Sequence, residues 1–256
     1  MHATSPFRDE RRSERPSRRE GVPLDRIPLP IRQVWIDDHA SSPSAVVRRA
    51  NSPVSHLLAR GARPLETARA EVYALDGFLD GALCDALASL VRQHLRPSST
   101  TTDAPNYRTS TTCDLELVED ARGLTRIVDR RISEATGIVV SSGEGLQGQR
   151  YLPGEKFDRH FDYFVPGTDC YERFARAHGQ RTWTVMVYLS DVLSGGATRF
   201  LRLGFGVVPK KGMALAWNNL DRFGQPNPWT EHAGEPLGAG EKVIVTKWFR
   251  QERGAS

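Results

Sequence analysis

"QGQRYLPGEKFDRHFDYF", residues 147–164, marks the point where the pattern of the chain changes. From here to residue 250 the sequence consists of short runs of apolar and polar residues separated by Gly, Pro and Asp turns. Short strands at this spacing are typical of an antiparallel sandwich or barrel. The second half of the chain is therefore predicted to form a β-rich core of jelly-roll type.

Two amphipathic helices are predicted ahead of this core. Residues 79–95 carry apolar side chains at helical spacing, with Asp80 as the N-cap, and residues 124–137 do the same with Gly137 as the C-cap. The segment between them, 98–114, is polar and predicted to be a long loop. The fold class is therefore α+β, with a double-stranded β-helix (jelly-roll) core and supporting N-terminal helices.

The composition suggests three regions. Residues 1–30 are rich in Arg, Ser and Pro with few apolar residues, and we expect them to be a disordered tail. Residues 31–69 form a poorly defined N-terminal extension, and residues 70–256 are the predicted ordered domain. The net charge of +4 comes from arginines interleaved with acids, which does not favour nucleic-acid binding.

Neither a membrane segment nor a cysteine framework is predicted. No stretch approaches the roughly 18 apolar residues that span a bilayer, and the N-terminus has no apolar signal region. Cys84, Cys113 and Cys170 lie far apart and form no CxxC pair. The expectation is a cytoplasmic protein without a membrane partner.

His160 and Asp162 raise the question of chemistry. On a strand, side chains two residues apart share one face, so these two are placed either to bind one metal ion or to lie at the edge of a hydrophobic sheet. Two histidines and a carboxylate with open positions are typical of non-haem Fe(II) oxygenases. The second histidine is best sought at His232, between two late strands. The other candidates are His39, His56, His94 and His178.

The same alternation assigns the aromatic residues around this pair. Phe157, Phe161 and Tyr163 are predicted on the face that packs against the sheet. Phe164 is predicted on the face of the two ligands, as a wall of the pocket.

Four motifs in fixed order make the chain resemble a known family. They are His-x-Asp at 160–162, "GGATRF" at 195–200, "PKKG" at 209–212 followed by "NL" at 219–220, and His232 with Lys242 ten residues later. This pattern resembles the Fe(II)/2-oxoglutarate dioxygenases of the prolyl 4-hydroxylase (alpha subunit catalytic domain) family. The resemblance covers most of residues 70–252.

The resemblance implies a role for each matching residue. His160, Asp162 and His232 would be the catalytic residues that bind Fe(II). The residues implied in binding 2-oxoglutarate are Lys242, Tyr151, Thr184 and Trp248. The implied cofactors and cosubstrates are Fe(II), 2-oxoglutarate, O2 and L-ascorbate.

The implied reaction is hydroxylation coupled to decarboxylation of 2-oxoglutarate to succinate. The carboxylate of Asp162 favours hydroxylation over halogenation, because related halogenases carry a small residue there. The most strongly implied substrate is proline within a peptide or protein. The alternatives are a free amino acid or small metabolite as substrate, and a non-catalytic binding protein on the same fold. The oligomeric state is left open.

Substrate binding is where the chain departs from the family. Relatives often have Tyr-x-Pro before the first metal-binding histidine, whereas this chain has Phe157 and Arg159 flanking Asp158. Both residues are candidate substrate contacts, together with Arg108, for which a structural role is an equal alternative. Residues 165–180 are predicted to form a long charged loop, which together with segment 103–112 is a candidate lid over the substrate.

Overall fold

The structure is a computed structural model that describes residues 52–98 and 107–251. The strands of this part form three antiparallel sheets. The strands are β1 (Arg63–Glu66), β2 (Val72–Leu75), β3 (Arg96–Pro97), β4 (Thr111–Asp114), β5 (Gln147–Tyr151), β6 (Phe157–His160), β7 (Arg181–Tyr188), β8 (Ser194–Gly195), β9 (Thr198–Phe200), β10 (Phe205–Val207), β11 (Ala214–Asn218), β12 (His232–Gly234), β13 (Leu237–Ala239) and β14 (Lys242–Arg250).

A large sheet and a smaller one carry most of these strands. The large sheet has eight strands in the order β1-β2-β11-β7-β14-β5-β4-β3, and the smaller one has four in the order β10-β9-β12-β6. β13 and β8 form a separate two-stranded pair. Together with the helices, these sheets confirm the α+β fold class.

Four α-helices accompany the sheets in the described residues: α1 (Pro53–Ala59), α2 (Gly81–Gln93), α3 (Arg122–Thr136) and α4 (Arg176–His178). The predicted caps of the two long helices are confirmed. Asp80 accepts a hydrogen bond from the backbone N–H of Leu83 at 2.9 Å, and Gly137 ends α3 with a left-handed φ of 70°.

Both faces of the large sheet are buried, as β7 illustrates. Trp183, Val185 and Val187 belong to a hydrophobic core shared with α2 and α3, whereas Met186 and Tyr188 belong to a second core. This second core also takes in residues of the smaller sheet. One face of β7 therefore meets the helices, and the other contributes to the interior between the sheets.

Only part of the predicted N-terminal regions lies within the described residues. The predicted tail, residues 1–30, and residues 31–51 of the extension lie outside the described residues and stay predictions. The rest of the extension contains α1 and β1, and β1 pairs with β2 of the large sheet. No helix of the described part is long and apolar enough to cross a membrane.

The prediction of one long polar loop over 98–114 needs correction. Residues 111–114 form β4, which pairs with β3 on one side and β5 on the other. The β-branched threonines of this segment suit a strand, and Thr112 and Cys113 are buried there. Residues 99–106 lie outside the described part.

Candidate active site

His160, Asp162 and His232 come together at one end of the smaller sheet. His160 ends β6, Asp162 follows two residues later, and His232 opens β12 directly opposite His160. Asp162 Oδ1 lies 3.8 Å from His160 Nε2 and 3.9 Å from His232 Nε2. Within residues 52–98 and 107–251 this is the one cluster of side chains with the spacing of a metal site.

Backbone carbonyls fix the orientation of both imidazoles. His160 Nδ1 lies 2.8 Å from the carbonyl oxygen of Asp158, and His232 Nδ1 lies 2.9 Å from that of Thr230. Because a carbonyl oxygen can only accept, each Nδ1 carries a hydrogen and each Nε2 is turned toward Asp162. Burial, reinforced by the neighbouring His232, lowers the pKa of His160 to about 3. Three electron-pair donors thus face one another, and a divalent cation fits between them.

The carboxylate of Asp162 is ionised. Burial raises its pKa, but the two histidines, Arg181 and a hydrogen bond from Thr184 outweigh burial, and the net shift is downward. A carboxylate beside two imidazoles whose Nε2 atoms face it is the donor set of an Fe(II) site with open positions.

Lys242 is a buried cation without an acidic partner among the residues that the structure describes. Its side chain is 2% exposed, and its Nζ donates to the carbonyl oxygen of Gly196 at 2.7 Å. No carboxylate of the described residues forms an ion pair with it, and burial lowers its pKa to about 7 despite the attraction of Glu235. A ligand carboxylate at this position would supply the missing negative charge.

One cavity connects Lys242 with the histidines and Asp162. Its wall combines polar side chains of the large sheet with apolar and aromatic ones. The lining residues are Gln149, Tyr151, Phe157, His160, Asp162, Met186, Thr198, Trp217, His232, Gly234, Lys242, Ile244, Thr246 and Trp248. The arrangement provides a metal face on one side and a buried cation on the other, which suits a ligand that chelates through one end and carries a carboxylate at the other.

Comparison with known proteins identifies the family. Residues 146–250 match the model of the 2OG-Fe(II) oxygenase superfamily. Prolyl 4-hydroxylase 2 of Arabidopsis thaliana is 33% identical in an alignment of 208 positions that covers 71% of this chain and 67% of that protein. This chain belongs to the prolyl 4-hydroxylase family of 2OG-Fe(II) oxygenases.

Other members of the family match as well. Prolyl 4-hydroxylase subunit alpha-2 of Gallus gallus is 35% identical over 170 residues, which cover 66% of this chain but 31% of that subunit. The viral collagen prolyl hydroxylase of Paramecium Bursaria Chlorella virus-1, solved with 2OG, superposes with a TM-score of 0.55 at 24% identity. That match covers 71% of this chain and 96% of the viral one and confirms the jelly-roll core. As a 2OG-Fe(II) oxygenase, this family member uses Fe(II), 2-oxoglutarate and O2.

Tyr151 and Trp248 both lie in the wall of the cavity, and their implied roles toward 2-oxoglutarate stay predictions. The hydroxyl of Tyr151 donates to Gln149 Oε1 at 3.0 Å, and its ring lies 5.0 Å from Lys242 Nζ. Trp248 packs beneath the guanidinium of Arg181 at 4.2 Å, and its Nε1 has no hydrogen-bond partner among the described residues.

The prediction for Thr184 needs correction. Thr184 is not a lining residue of the cavity, because its hydroxyl is turned to Asp162 Oδ2 at 2.7 Å. The threonine that does line the cavity is Thr198, which follows the turn that supplies the acceptor for Lys242. Its place in the "GGATRF" motif was the signal that pointed to it.

The alternation predicted for the aromatic residues is also wrong in part. β6 ends at His160, so Asp162 lies in a bend, and one extra residue on β6 opposes β12 between His160 and Phe157. This bulge turns Phe157 to the cavity side, where its ring stacks on His160 with centroids 3.7 Å apart. Phe164 does not line the cavity, and its ring packs against that of Phe174 with centroids 5.6 Å apart.

Arg108 and Arg159 flank Phe157 in different ways. The guanidinium of Arg108 lies 4.7 Å from the Phe157 ring and donates to the hydroxyls of Ser110 and Thr112. The side chain of Arg159 is 60% exposed. Their roles toward a substrate stay predictions.

Gln149, Thr246 and Arg181 are among the neighbours of the site that the sequence reasoning missed. Counting alternate residues along β14 from Lys242 reaches Thr246, and counting back from Tyr151 on β5 reaches Gln149. Both line the cavity. Arg181, which packs on Trp248, carries no comparable signal, because its contact depends on the pairing of two distant strands.

Proposed function

We propose that this chain is a prolyl 4-hydroxylase that hydroxylates peptidyl proline while 2-oxoglutarate is converted to succinate and CO2. The observation that carries the proposal is the cavity that joins the His160, Asp162 and His232 donors to the buried cation of Lys242. The relatives named above are prolyl 4-hydroxylases, and the 33% identity to one of them supports the same reaction for this chain.

In this proposal His160, Asp162 and His232 hold Fe(II). Bound iron supplies the chemistry of O2 activation and substrate oxidation. The carbonyls of Asp158 and Thr230 orient the two imidazoles, so their Nε2 atoms are aimed before the metal arrives. The site thus requires little rearrangement to bind its ion.

Lys242 anchors 2-oxoglutarate through the distal carboxylate. Tyr151 and Thr198 complete the polar part of this pocket, and Met186 and Ile244 exclude water from it. Trp248 contributes an indole N–H with no hydrogen-bond partner in the described part of the chain, a donor available to a ligand oxygen. These residues bind and orient the cosubstrate.

Phe157, Arg108 and Arg159 are the proposed substrate contacts. Phe157 replaces the tyrosine of many relatives, and its ring lies directly over His160. Arg159 is exposed beside it and available to a peptide chain.

One observation favours a free amino acid or small metabolite as a second candidate substrate. In the part of the chain that is described, Arg108 has no ion-pair partner, and its hydrogen bonds go only to two hydroxyls. Burial lowers the pKa of this guanidinium, and a free carboxylate beside it would relieve that cost.

The two candidates are separated by product analysis. The protein is incubated with Fe(II), 2-oxoglutarate and ascorbate, with either proline-rich peptides or free amino acids, and succinate and the mass of each acceptor are measured. We expect succinate and the gain of one oxygen atom on peptidyl proline, with both lost in Asp162→Ala. Oxygen gain on free amino acids alone would select the second candidate, and no turnover of 2-oxoglutarate at all would refute the hydroxylase.

We further propose that L-ascorbate sustains turnover and that the protein works in the cytoplasm. Cys84, Cys113 and Cys170 are all free thiols, which suits a reducing compartment. Omitting ascorbate should shorten the linear phase of succinate formation, and cell fractionation tests the location.

A further inference from the structure

Two buried side chains form a hydrogen-bonded relay behind Asp162. Thr184, in the centre of β7, donates from Oγ1 to Asp162 Oδ2 at 2.7 Å. Asn219, just past the end of β11, donates from Nδ2 to the same Oγ1 at 2.9 Å. Both Thr184 and Asn219 are fully buried, so water does not compete for these bonds.

The direction of the relay follows from its last member. The Oγ1 of Thr184 donates to Asp162 Oδ2, so the hydroxyl hydrogen of Thr184 points to the carboxylate. The Thr184 oxygen then accepts from its other neighbour, which must be the amide N–H of Asn219. The backbone of Asn219 is itself fixed, since its N–H donates to Thr182 at 2.6 Å and its carbonyl accepts from Asn227 at 2.9 Å.

The relay makes the two oxygens of the Asp162 carboxylate inequivalent. Oδ2 is occupied by Thr184, while Oδ1 is the oxygen that lies 3.8 and 3.9 Å from the two histidine Nε2 atoms. We propose that Thr184 and Asn219 are positioning residues that present Asp162 to the metal through one oxygen. This inference rests on the proposed metal centre.

A ligand held through one oxygen matters for the proposed reaction. A second carboxylate oxygen on the ion would occupy a position needed by 2-oxoglutarate or O2. β7 lies between β11 and β14 in the large sheet, so the hydroxyl of Thr184 is held on a rigid element. Groups that orient a metal ligand in this way commonly change metal affinity by about 10–100-fold when removed.

The test measures the metal alone. Co(II) binding to the full chain is followed by calorimetry and visible absorption in wild type and in Thr184→Val, Thr184→Ser and Asn219→Leu. We expect Thr184→Val to lose about 10-fold or more in Co(II) affinity and to change the absorption spectrum. Thr184→Ser keeps the hydroxyl and should bind Co(II) like wild type. The Co(II) affinity of Asn219→Leu should lie between those of wild type and Thr184→Val.

Thr136→Val is the matched control. It also removes a buried hydroxyl, which donates to the Ile132 carbonyl in α3, far from the metal ligands in the fold. It should lower thermal stability without changing Co(II) affinity or spectrum. The same result in Thr184→Val would assign that residue a merely structural role and overturn the inference.

Two further outcomes are decisive. If wild type itself shows no Co(II) site that His232→Ala abolishes, the metal centre and the relay both fail. If Thr184→Val does not fold, Asn219→Leu decides, and unchanged Co(II) affinity and spectrum in that variant would overturn the inference.

Discussion

Lys242 shows at the scale of one residue how burial prepares a binding site. Its ammonium group is surrounded by the rings of Tyr151 and Tyr188 and by one backbone carbonyl, and burial brings its pKa down to about 7. The free protein therefore holds this cation at a cost that a ligand carboxylate removes.

Because burial disfavours the charged form of Lys242, we expect proton uptake when 2-oxoglutarate binds. Above pH 7 Lys242 is mostly neutral in the free protein, whereas a bound carboxylate raises its pKa, so binding draws in a proton. Affinity should be highest below pH 7 and fall by up to about tenfold per pH unit above it. Calorimetry of 2-oxoglutarate binding to the Mn(II)-loaded protein, in buffers of different ionisation enthalpy, measures the uptake.

Lys242→Arg is the control for this linkage. Its guanidinium stays charged across the range, so whatever binding remains should show no proton uptake at this site. Wild-type binding without net proton exchange at about pH 8.5 would contradict the assignment of the distal carboxylate to Lys242.

At the scale of the element, a glycine turn places the acceptor for Lys242. Gly195 and Gly196 have left-handed φ values of 70° and 69° and join β8 to β9. A Cβ at Gly195 would lie 2.5 Å from the backbone of Gly238 and Pro236 on the β13 side. The turn therefore requires both the conformation and the size of glycine.

Gly204 gives a matched comparison, because it has a φ of 78° but open space around a Cβ. Gly204→Ala should cost about 1–2 kcal/mol for the left-handed conformation alone. Gly195→Ala should cost at least about 1 kcal/mol more, because backbone must move, and should also raise the KM for 2-oxoglutarate. Urea unfolding measures the loss of stability, and succinate kinetics measure the KM. An equal loss of stability in Gly195→Ala and Gly204→Ala would refute the close approach of Gly195 to the backbone of Gly238 and Pro236.

The elements also show what the sequence can and cannot predict. The caps of α2 and α3 and the meeting of His160, Asp162 and His232 follow from local patterns and motifs. The bulge that turns Phe157 into the cavity depends on the partner strand β12, which alternation within β6 does not contain. The contact of Asn219, just past the end of β11, with Thr184 on β7 likewise joins residues 35 positions apart.

At the scale of the whole molecule, Glu144 joins the ends of strands that carry the site. Its carboxylate accepts from Arg181, the first residue of β7, at 2.6 and 2.7 Å, and from Arg250, the last residue of β14, at 2.9 Å. Arg250 also donates to the carbonyls of Phe174 and Gly179, which ties the segment 165–180 to the sheet. That segment contains α4 and a π-helical turn at Tyr171–Ala175 where a loop was predicted.

Glu144→Gln tests this junction. It leaves two half-buried arginines facing each other without a countercharge, and we expect a loss of about 1–3 kcal/mol in the free energy of unfolding. Glu172→Gln removes the exposed pair with Arg176 and should change stability by less than about 0.5 kcal/mol. Chemical denaturation measures the free energy of unfolding of both variants. Equal stability of Glu144→Gln and Glu172→Gln would show that the junction at Glu144 contributes nothing.

The central claim is that one cavity binds a metal ion through His160, Asp162 and His232 and a dicarboxylate through Lys242. A crystal structure of the protein with Mn(II) and 2-oxoglutarate, grown without oxygen, tests it most directly. The predicted result is a Mn(II) ion, located by its anomalous peak, that is bonded to Nε2 of His160, Nε2 of His232 and Asp162 Oδ1. The distal carboxylate of 2-oxoglutarate should lie beside Lys242 Nζ. A metal ion bound elsewhere, or a 2-oxoglutarate carboxylate that does not reach Lys242, would contradict it.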